Sequence, residues 1–301
     1  GLKTSFIPLL FFGLIFTAFN LLQAQYLNRL EKFKSVSNGK IITAVIIAVL
    51  QTLSVFFNKS VIILAFSYMF GFLMSTVYYY SILHNHTKQF NYTKEELKLT
   101  LVTYQKFPTI NNVSSLFNIV ANQGPVILLE IVFGSAISGF YSVVQRTLNA
   151  PASLIGTAFS QVFYKKITTK ISSIALKKLM LLSLKYLSFI SIAILTIILL
   201  FSDFLYVFVF GDEYIVSAKI ARIMVFFFLV RLMFSSMSTL IIAKNKLKLD
   251  LGFNILYAIS LLSPIFAGWF FEFEWIVVIS IIAFNGTICF FFLGYLLFKK
   301  I

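Results

Sequence analysis

The chain has 301 residues, a formal net charge of +15 at pH 7, 59% hydrophobic and only 12% charged side chains, and a mean hydropathy of +0.94. A soluble domain carries about a quarter charged residues, so a water-facing surface of ordinary extent is excluded. The single cysteine, Cys289, lies in an apolar run and excludes a disulfide framework or a Cys-based metal site.

Apolar runs of bilayer-spanning length predict an all-α polytopic membrane protein with about nine transmembrane helices. The first covers Ser5–Tyr26, the second Ile41–Phe57 and the third Val61–Leu83. A polar segment, His84–Phe107, follows. In it Thr93 and Glu96 read as a capping box. Leu97, Leu101 and Tyr104 recur at helical spacing beside Lys94, Lys98 and Lys106. This predicts an amphipathic helix on the membrane surface or a solvated connector. The fourth helix covers Thr109–Phe133, the fifth Ala136–Tyr164 and the sixth Leu179–Phe201, followed by a short segment, Phe204–Gly211. The seventh covers Ser217–Ala243, the eighth Leu251–Phe271 and the ninth Trp275–Phe298.

Basic residues gather at alternate helix ends. One set holds Arg29 to Lys40, Lys88 to Lys106, Lys165 to Lys185, Lys244 to Lys248, and Lys299 with Lys300. The opposite ends hold Lys3, Lys59, Lys219 and Arg222, with the acids Asp203, Asp212, Glu213, Glu272 and Glu274. In a soluble protein the basic excess would suggest nucleic acid; here it is a positive-inside signal that predicts a cytoplasmic C-terminus. An odd number of crossings then puts Gly1 outside, and no signal-peptide pattern precedes the first helix, so further N-terminal helices are expected. Phe19–Asn38 and Phe234–Asn254 share the order helix end, basic loop, new helix. Either two such units are alike by chance, or helices one to three repeat as seven to nine. The repeat would make residues 1–84 the last three helices of an N-terminal bundle, 85–108 a cytoplasmic linker and 109–301 a C-terminal six-helix bundle.

Polar residues form stripes within the spans. Asn111, Ser115, Asn118 and Asn122 share a face of the fourth helix; Ser142, Gln145, Arg146, Asn149, Ser153, Gly156 and Ser160 share one of the fifth; Arg231, Ser235 and Ser238 share one of the seventh. Such stripes line a polar cavity or bond helices to one another. Arg146 and Arg231 lie mid-helix, too deep for easy snorkelling, where a guanidinium requires an anion, carbonyls or water. Pro151 and Pro125 are expected to kink the fifth and fourth helices. Glu130, the one acid inside a predicted span, is a coupling carboxylate, a partner for Arg146, or an interfacial solvated group. His84 and His86 lack acidic or Cys neighbours, so no metal is predicted. No phosphate-binding Gly loop, paired carboxylate or nucleophile elbow is present, and no enzymatic reaction is expected.

The run from Phe133 to Tyr164 contains Phe133-Gly134, Gly139-Phe140-Tyr141, Gln145-Arg146, Pro151, Ile155-Gly156 and Gln161-Val162-Phe163-Tyr164, and Phe210-Gly211 with Tyr214 follows later. These segments resemble the Wzx-type oligosaccharide-unit flippases of the polysaccharide-exporter family within the MOP superfamily. The resemblance implies a MATE-like (MOP) fold of two six-helix bundles around a central cavity, with nine of twelve helices present. It implies flipping of undecaprenyl-pyrophosphate-linked repeat units across the bacterial cytoplasmic membrane for O-antigen or capsular polysaccharide. No cofactor is implied, with H+ or Na+ as coupling ion and Glu130 as its candidate site. Arg146 and Arg231 would take the pyrophosphate, and Gln145, Asn149, Asn118, Asn122 and Ser153 the sugar. Expected partners are membrane lipids, the lipid-linked oligosaccharide, a polysaccharide polymerase and a chain-length regulator, with no nucleic acid. The alternatives are a multidrug exporter of the same superfamily, a membrane polymerase or glycosyltransferase, and a structural subunit. A drug exporter would favour cavity carboxylates. An enzyme would favour a larger loop than His84–Phe107, whose acids are Glu95 and Glu96.

Overall fold

The computed structural model describes residues 6–57, 61–87, 93–105, 107–168 and 173–300. Ser5, Lys59, Lys88, Lys106 and Lys170 lie outside the described residues, as do the side chains of His86, Ser160, Lys165 and Lys166. The described residues are almost all helical and contain no strand. Among the described residues, six helical stretches are long and apolar enough to cross a membrane. Their outer faces are apolar: Leu14, Ile131, Phe189 and Phe208 are each 70% or more exposed. In water a surface of this kind would associate; against lipid it is the expected solvent-facing side.

The chain divides into two compact units, Gly1–Leu97 and Lys98–Ile301. In the first, α1 (Phe6–Arg29), α2 (Phe33–Phe57) and α3 (Val61–Thr87) pack together. The second helix begins well before the predicted Ile41. A tight turn with Glu31 at φ 58° separates it from α1, and the Lys32 N–H donates to the Leu27 carbonyl at 2.9 Å. Between helices, polar groups replace the hydrophobic effect as specific glue. Asn20 Nδ2 donates to Ser75 Oγ at 2.7 Å, and fully buried Tyr79 donates its hydroxyl to the Val36 carbonyl at 2.9 Å.

Helix α4 (Lys94–Tyr104) starts with the expected capping box. The Thr93 N–H donates to Glu96 Oε2 at 3.0 Å, and the Glu96 N–H donates to Thr93 Oγ1 at 3.3 Å. The bonds from the Thr93 backbone and hydroxyl hold the Glu96 carboxyl below its ordinary pKa. All of α4 is exposed, Leu97, Leu101 and Tyr104 included.

The second unit holds α5 (Asn112–Thr168), α6 (Ser173–Phe210), α7 (Ile215–Ser235), α8 (Thr239–Ala243), α9 (Leu247–Phe270) and α10 (Trp275–Lys300), with one π-type turn at Phe107–Asn111 before α5. Straight, the 57 residues of α5 would reach about 85 Å, nearly three bilayer cores. Gly134, at φ 85° and ψ 170°, folds it into two arms. Across the bend Ser138 Oγ donates to the Val126 carbonyl at 2.8 Å and Gln145 Nε2 to the Asn122 carbonyl at 2.6 Å. Those pairings define an antiparallel helical hairpin. Backbone dihedrals remain helical at Pro125 and Pro151, and the reversal falls at Gly134, between the predicted fourth and fifth helices.

Three other boundaries depart from expectation for local reasons. The predicted sixth helix and the segment after it are one helix, α6, because no glycine or proline interrupts residues 173–210. The predicted seventh helix breaks after Ser235 into α7 and α8. There Ser236 Oγ donates to the Leu232 carbonyl at 2.6 Å and Ser238 Oγ to the Ser235 carbonyl at 2.8 Å, which competes with continued helix. The predicted eighth helix starts four residues early, so Asp250 lies in the first turn of α9 and Glu130 is not the one acid within the long helices.

Helix α7 is the centre of this unit. Met224, Phe227, Phe228 and Leu232 are buried on it, and Phe253, Tyr257 and Phe290 close the core from α9 and α10. Gly286 and Gly294 of α10 receive the rings of Phe227 and Phe234, and a Cβ at either glycine would overlap the ring. Gly286→Leu is therefore expected to destabilise the protein by about 1–3 kcal/mol through overpacking. Gly252→Leu, at an exposed position with open space around it, should leave the unfolding midpoint in detergent unchanged.

Candidate functional site

The hairpin of α5 brings the polar stripes of its two arms side by side, and α7 adds a third wall. Between them lies a pocket of about 390 Å³ lined by Asn122 and Gln123 from the first arm, Gln145, Arg146 and Asn149 from the second, and Arg231 from α7. Both guanidiniums and four side-chain amides meet there, and among the described residues no carboxylate lines it. At 1.5 Å per residue Arg146 lies about 18 Å along its arm from the Gly134 bend and Arg231 about 24 Å along α7.

Each wall is fixed. The Gln145–Asn122 bond pins the arms together beside the pocket. Thr147, the next residue but one, shares a 2.6 Å hydrogen bond with the Tyr206 hydroxyl of α6. Ser217 Oγ of α7 donates to the Phe140 carbonyl at 3.2 Å. The Arg231 guanidinium lies 5.9 Å from the centre of the Phe228 ring, a cation–π contact that holds it without neutralising it. Such a site offers planar donors and fixed amides to an anion.

Five sequence candidates therefore come together: Arg146, Arg231, Gln145, Asn149 and Asn122. Three do not line the pocket. Asn118 is engaged sideways, donating to Asn254 Oδ1 of α9 at 2.9 Å. Ser153 is exposed and returns its hydroxyl to the Ala150 carbonyl at 2.9 Å. Glu130 is exposed near the bend, away from Arg146. Gln123 was not singled out because it sits about 100° around the helix from Asn122, and the stripe it joins exists only once the arms fold together. Among the described residues no group of three or more His, Cys, Asp or Glu gathers to hold a metal.

The two stretches that carried the family resemblance meet in space. Tyr214 packs edge-on against Phe140 at 5.6 Å and lies 5.4 Å from Phe210, which in turn contacts Tyr206. Gly211, at φ 101°, makes the turn between α6 and α7 that delivers Tyr214 to this cluster.

The fold matches that of a solved structure described as an outward-facing conformation of a multidrug resistance MATE family transporter of the MOP superfamily. The TM-score is 0.69 at 14% identity, over 97% of this chain and 68% of that one. The protein is thus a multi-pass membrane protein with the fold of MOP-superfamily transporters. Residues 4–219 match the family described as polysaccharide biosynthesis protein, and the chain belongs to that family. No curated protein matches the chain.

Proposed function

We propose that the protein flips undecaprenyl-pyrophosphate-linked oligosaccharide units across the bacterial cytoplasmic membrane. The observation that carries this reading is the joint placement of Arg146 and Arg231 on one carboxylate-free pocket. A pyrophosphate is a multivalent anion whose oxygens match the guanidinium fork. The amides of Asn122, Gln123, Gln145 and Asn149 suit sugar hydroxyls beside it. Membership of a polysaccharide biosynthesis family and a transporter fold support the same substrate class. The polyprenyl tail stays in lipid while the headgroup crosses, so only the headgroup needs a polar site. The basic loop ends, Lys244 to Lys248 among them, face the cytoplasm in this scheme, with the C-terminus on the same side.

Deletion of the gene in its host tests the proposal. Surface polymer should be lost while complete lipid-linked units accumulate on the inner leaflet. Units that reach the outer leaflet unpolymerised would instead indicate a polymerase, and unchanged polymer with altered drug sensitivity a drug exporter. A cationic drug is the less suited cargo, because the pocket presents two positive charges.

Coupling to H+ or Na+ belongs to the same proposal, with Glu130 as carrier. Glu130→Gln should reduce transport several-fold and flatten its pH dependence. Unchanged rate and pH profile would remove Glu130 from the mechanism.

A further inference from the structure

Helices α6 and α10 each pack along α7, but among the described residues they have no extended contact with each other. Where the first turns of α6 approach the last turn of α10 they leave a crevice of about 310 Å³. Leu176, Lys177 and Met180 line it from α6, and Leu297, Phe298 and Lys299 from α10. Leu176, Met180 and Leu297 are buried and give it an apolar floor. Lys177 and Lys299 are exposed, one on each wall. The crevice shares no lining residue with the arginine pocket.

Two ammoniums facing one cavity repel each other, and among the described residues no carboxylate lines it. Lys299 is nonetheless held there. Its Nζ donates to the Tyr295 hydroxyl at 2.7 Å and lies 5.2 Å from the centre of that ring. Those contacts orient the charge without neutralising it. An ammonium has three donors, so one bond leaves others for an anion. Ile174, 83% exposed, carries the apolar side of the crevice out to the lipid-facing surface. The successive reversals of α6, α7, α9 and α10 put the start of α6 and the end of α10 at the same end of the unit, the end with the basic excess. Helix ends reach the headgroup region of a bilayer, and basic pockets between transmembrane helices take anionic headgroups there. A free phosphate would satisfy the lysines and leave the apolar floor bare. A phospholipid covers both. A zwitterionic headgroup brings its own cation and is disfavoured beside two ammoniums.

We propose that this crevice is a binding site for one anionic phospholipid of the surrounding membrane. Its phosphate bridges Lys177 and Lys299, its glyceride covers Leu176, Met180 and Leu297, and its acyl chains run outward past Ile174. The bound lipid ties α6 to α10, which are otherwise joined through α7. The cargo of the arginine pocket does not enter this inference.

The test titrates the full chain in detergent with phosphatidylglycerol and with phosphatidylcholine. Bound lipid is counted by native mass spectrometry, and the unfolding midpoint is recorded alongside. Phosphatidylglycerol should bind more tightly and raise the midpoint more, since a ligand of the folded state stabilises it. Lys177→Gln and Lys299→Gln should each weaken its binding about fivefold and reduce the rise in midpoint. Both lysines are exposed, so both variants should fold. Lys178→Gln removes the adjacent exposed lysine, which does not line the crevice, and should stay within about twofold of the parent because solvent screens its charge. Lys246 and Lys248 line another cavity at this end, so the difference between variants, not the total lipid bound, reads the site. Equal binding of the two lipids, an equal effect of Lys178→Gln and Lys177→Gln, or a rise in midpoint reproduced by inorganic phosphate alone would overturn the proposal.

Discussion

Arg146→Ala is expected to lower the rate of headgroup translocation about 10- to 100-fold while leaving the unfolding midpoint nearly unchanged. The side chain is exposed on the pocket wall, so its removal opens no core cavity. What is lost is charge-assisted hydrogen bonding, worth about 1.5–3 kcal/mol when the partner is an anion. Arg146→Lys should recover only part of the rate, because an ammonium keeps the charge but not the planar fork. Arg231→Ala should reduce transport as well and also lower the midpoint. Arg231 is half-buried and lies over Phe228, so its aliphatic stem covers core surface. Flipping rates in proteoliposomes and thermal unfolding in detergent separate the two effects. A fully active Arg146→Ala would remove the anion-anchor role.

Gly134→Ala is the second change with a large expected effect. Its φ of 85° with ψ of 170° belongs to a backbone region open essentially to glycine alone. A Cβ there meets no neighbour, so the penalty is conformational strain of about 1–3 kcal/mol, not a clash. The consequence reaches the pocket, because the bend sets the register in which Gln145 meets Asn122. Both stability and transport should fall. Gly139→Ala, a few residues further on with equally open space, is the control and should be neutral or slightly stabilising, as alanine is a better helix former. Equal behaviour of the two variants would show that the bend tolerates an ordinary residue.

Hydropathy made the long helices legible, since each span is an apolar run and lipid imposes helix on it. It located some of their ends, Phe57, Val61 and Trp275 among them, and missed others. The α6 helix runs past its apolar centre because nothing in residues 173–210 stops it, and the serines at 235–238 end α7 although hydropathy continues. One such boundary concealed an acid that ties α9 to α5. Starting α9 at Leu251 left Asp250 in a loop, and its bonds to Ser114 and Asn254 link positions 136 and 4 residues apart. The longer link has no local sequence signal.

The pocket was partly legible. Arginines in mid-span are costly in hydrocarbon and stand out for that reason, and the stripe holding Gln145 and Asn149 follows from helical periodicity. Whether a polar residue faces a cavity or a neighbouring helix is a tertiary matter. Asn118 and Asn122 are one helical turn apart, yet one is held by α9 and the other lines the pocket. The reversal itself was legible: it falls at Gly134, between the predicted helix ends Phe133 and Ala136, while helical dihedrals persist at Pro125 and Pro151.

Translocation by purified protein is the most direct measurement of the central claim. The protein would be reconstituted in liposomes carrying a fluorescent undecaprenyl-pyrophosphate-linked oligosaccharide, and the headgroup reaching the opposite leaflet followed with a membrane-impermeant quencher. The account predicts transfer well above protein-free liposomes, with loss of most of that transfer in the Arg146→Ala, Arg231→Ala double variant. Transfer no faster than in protein-free liposomes, or transfer undiminished in the double variant, would contradict it.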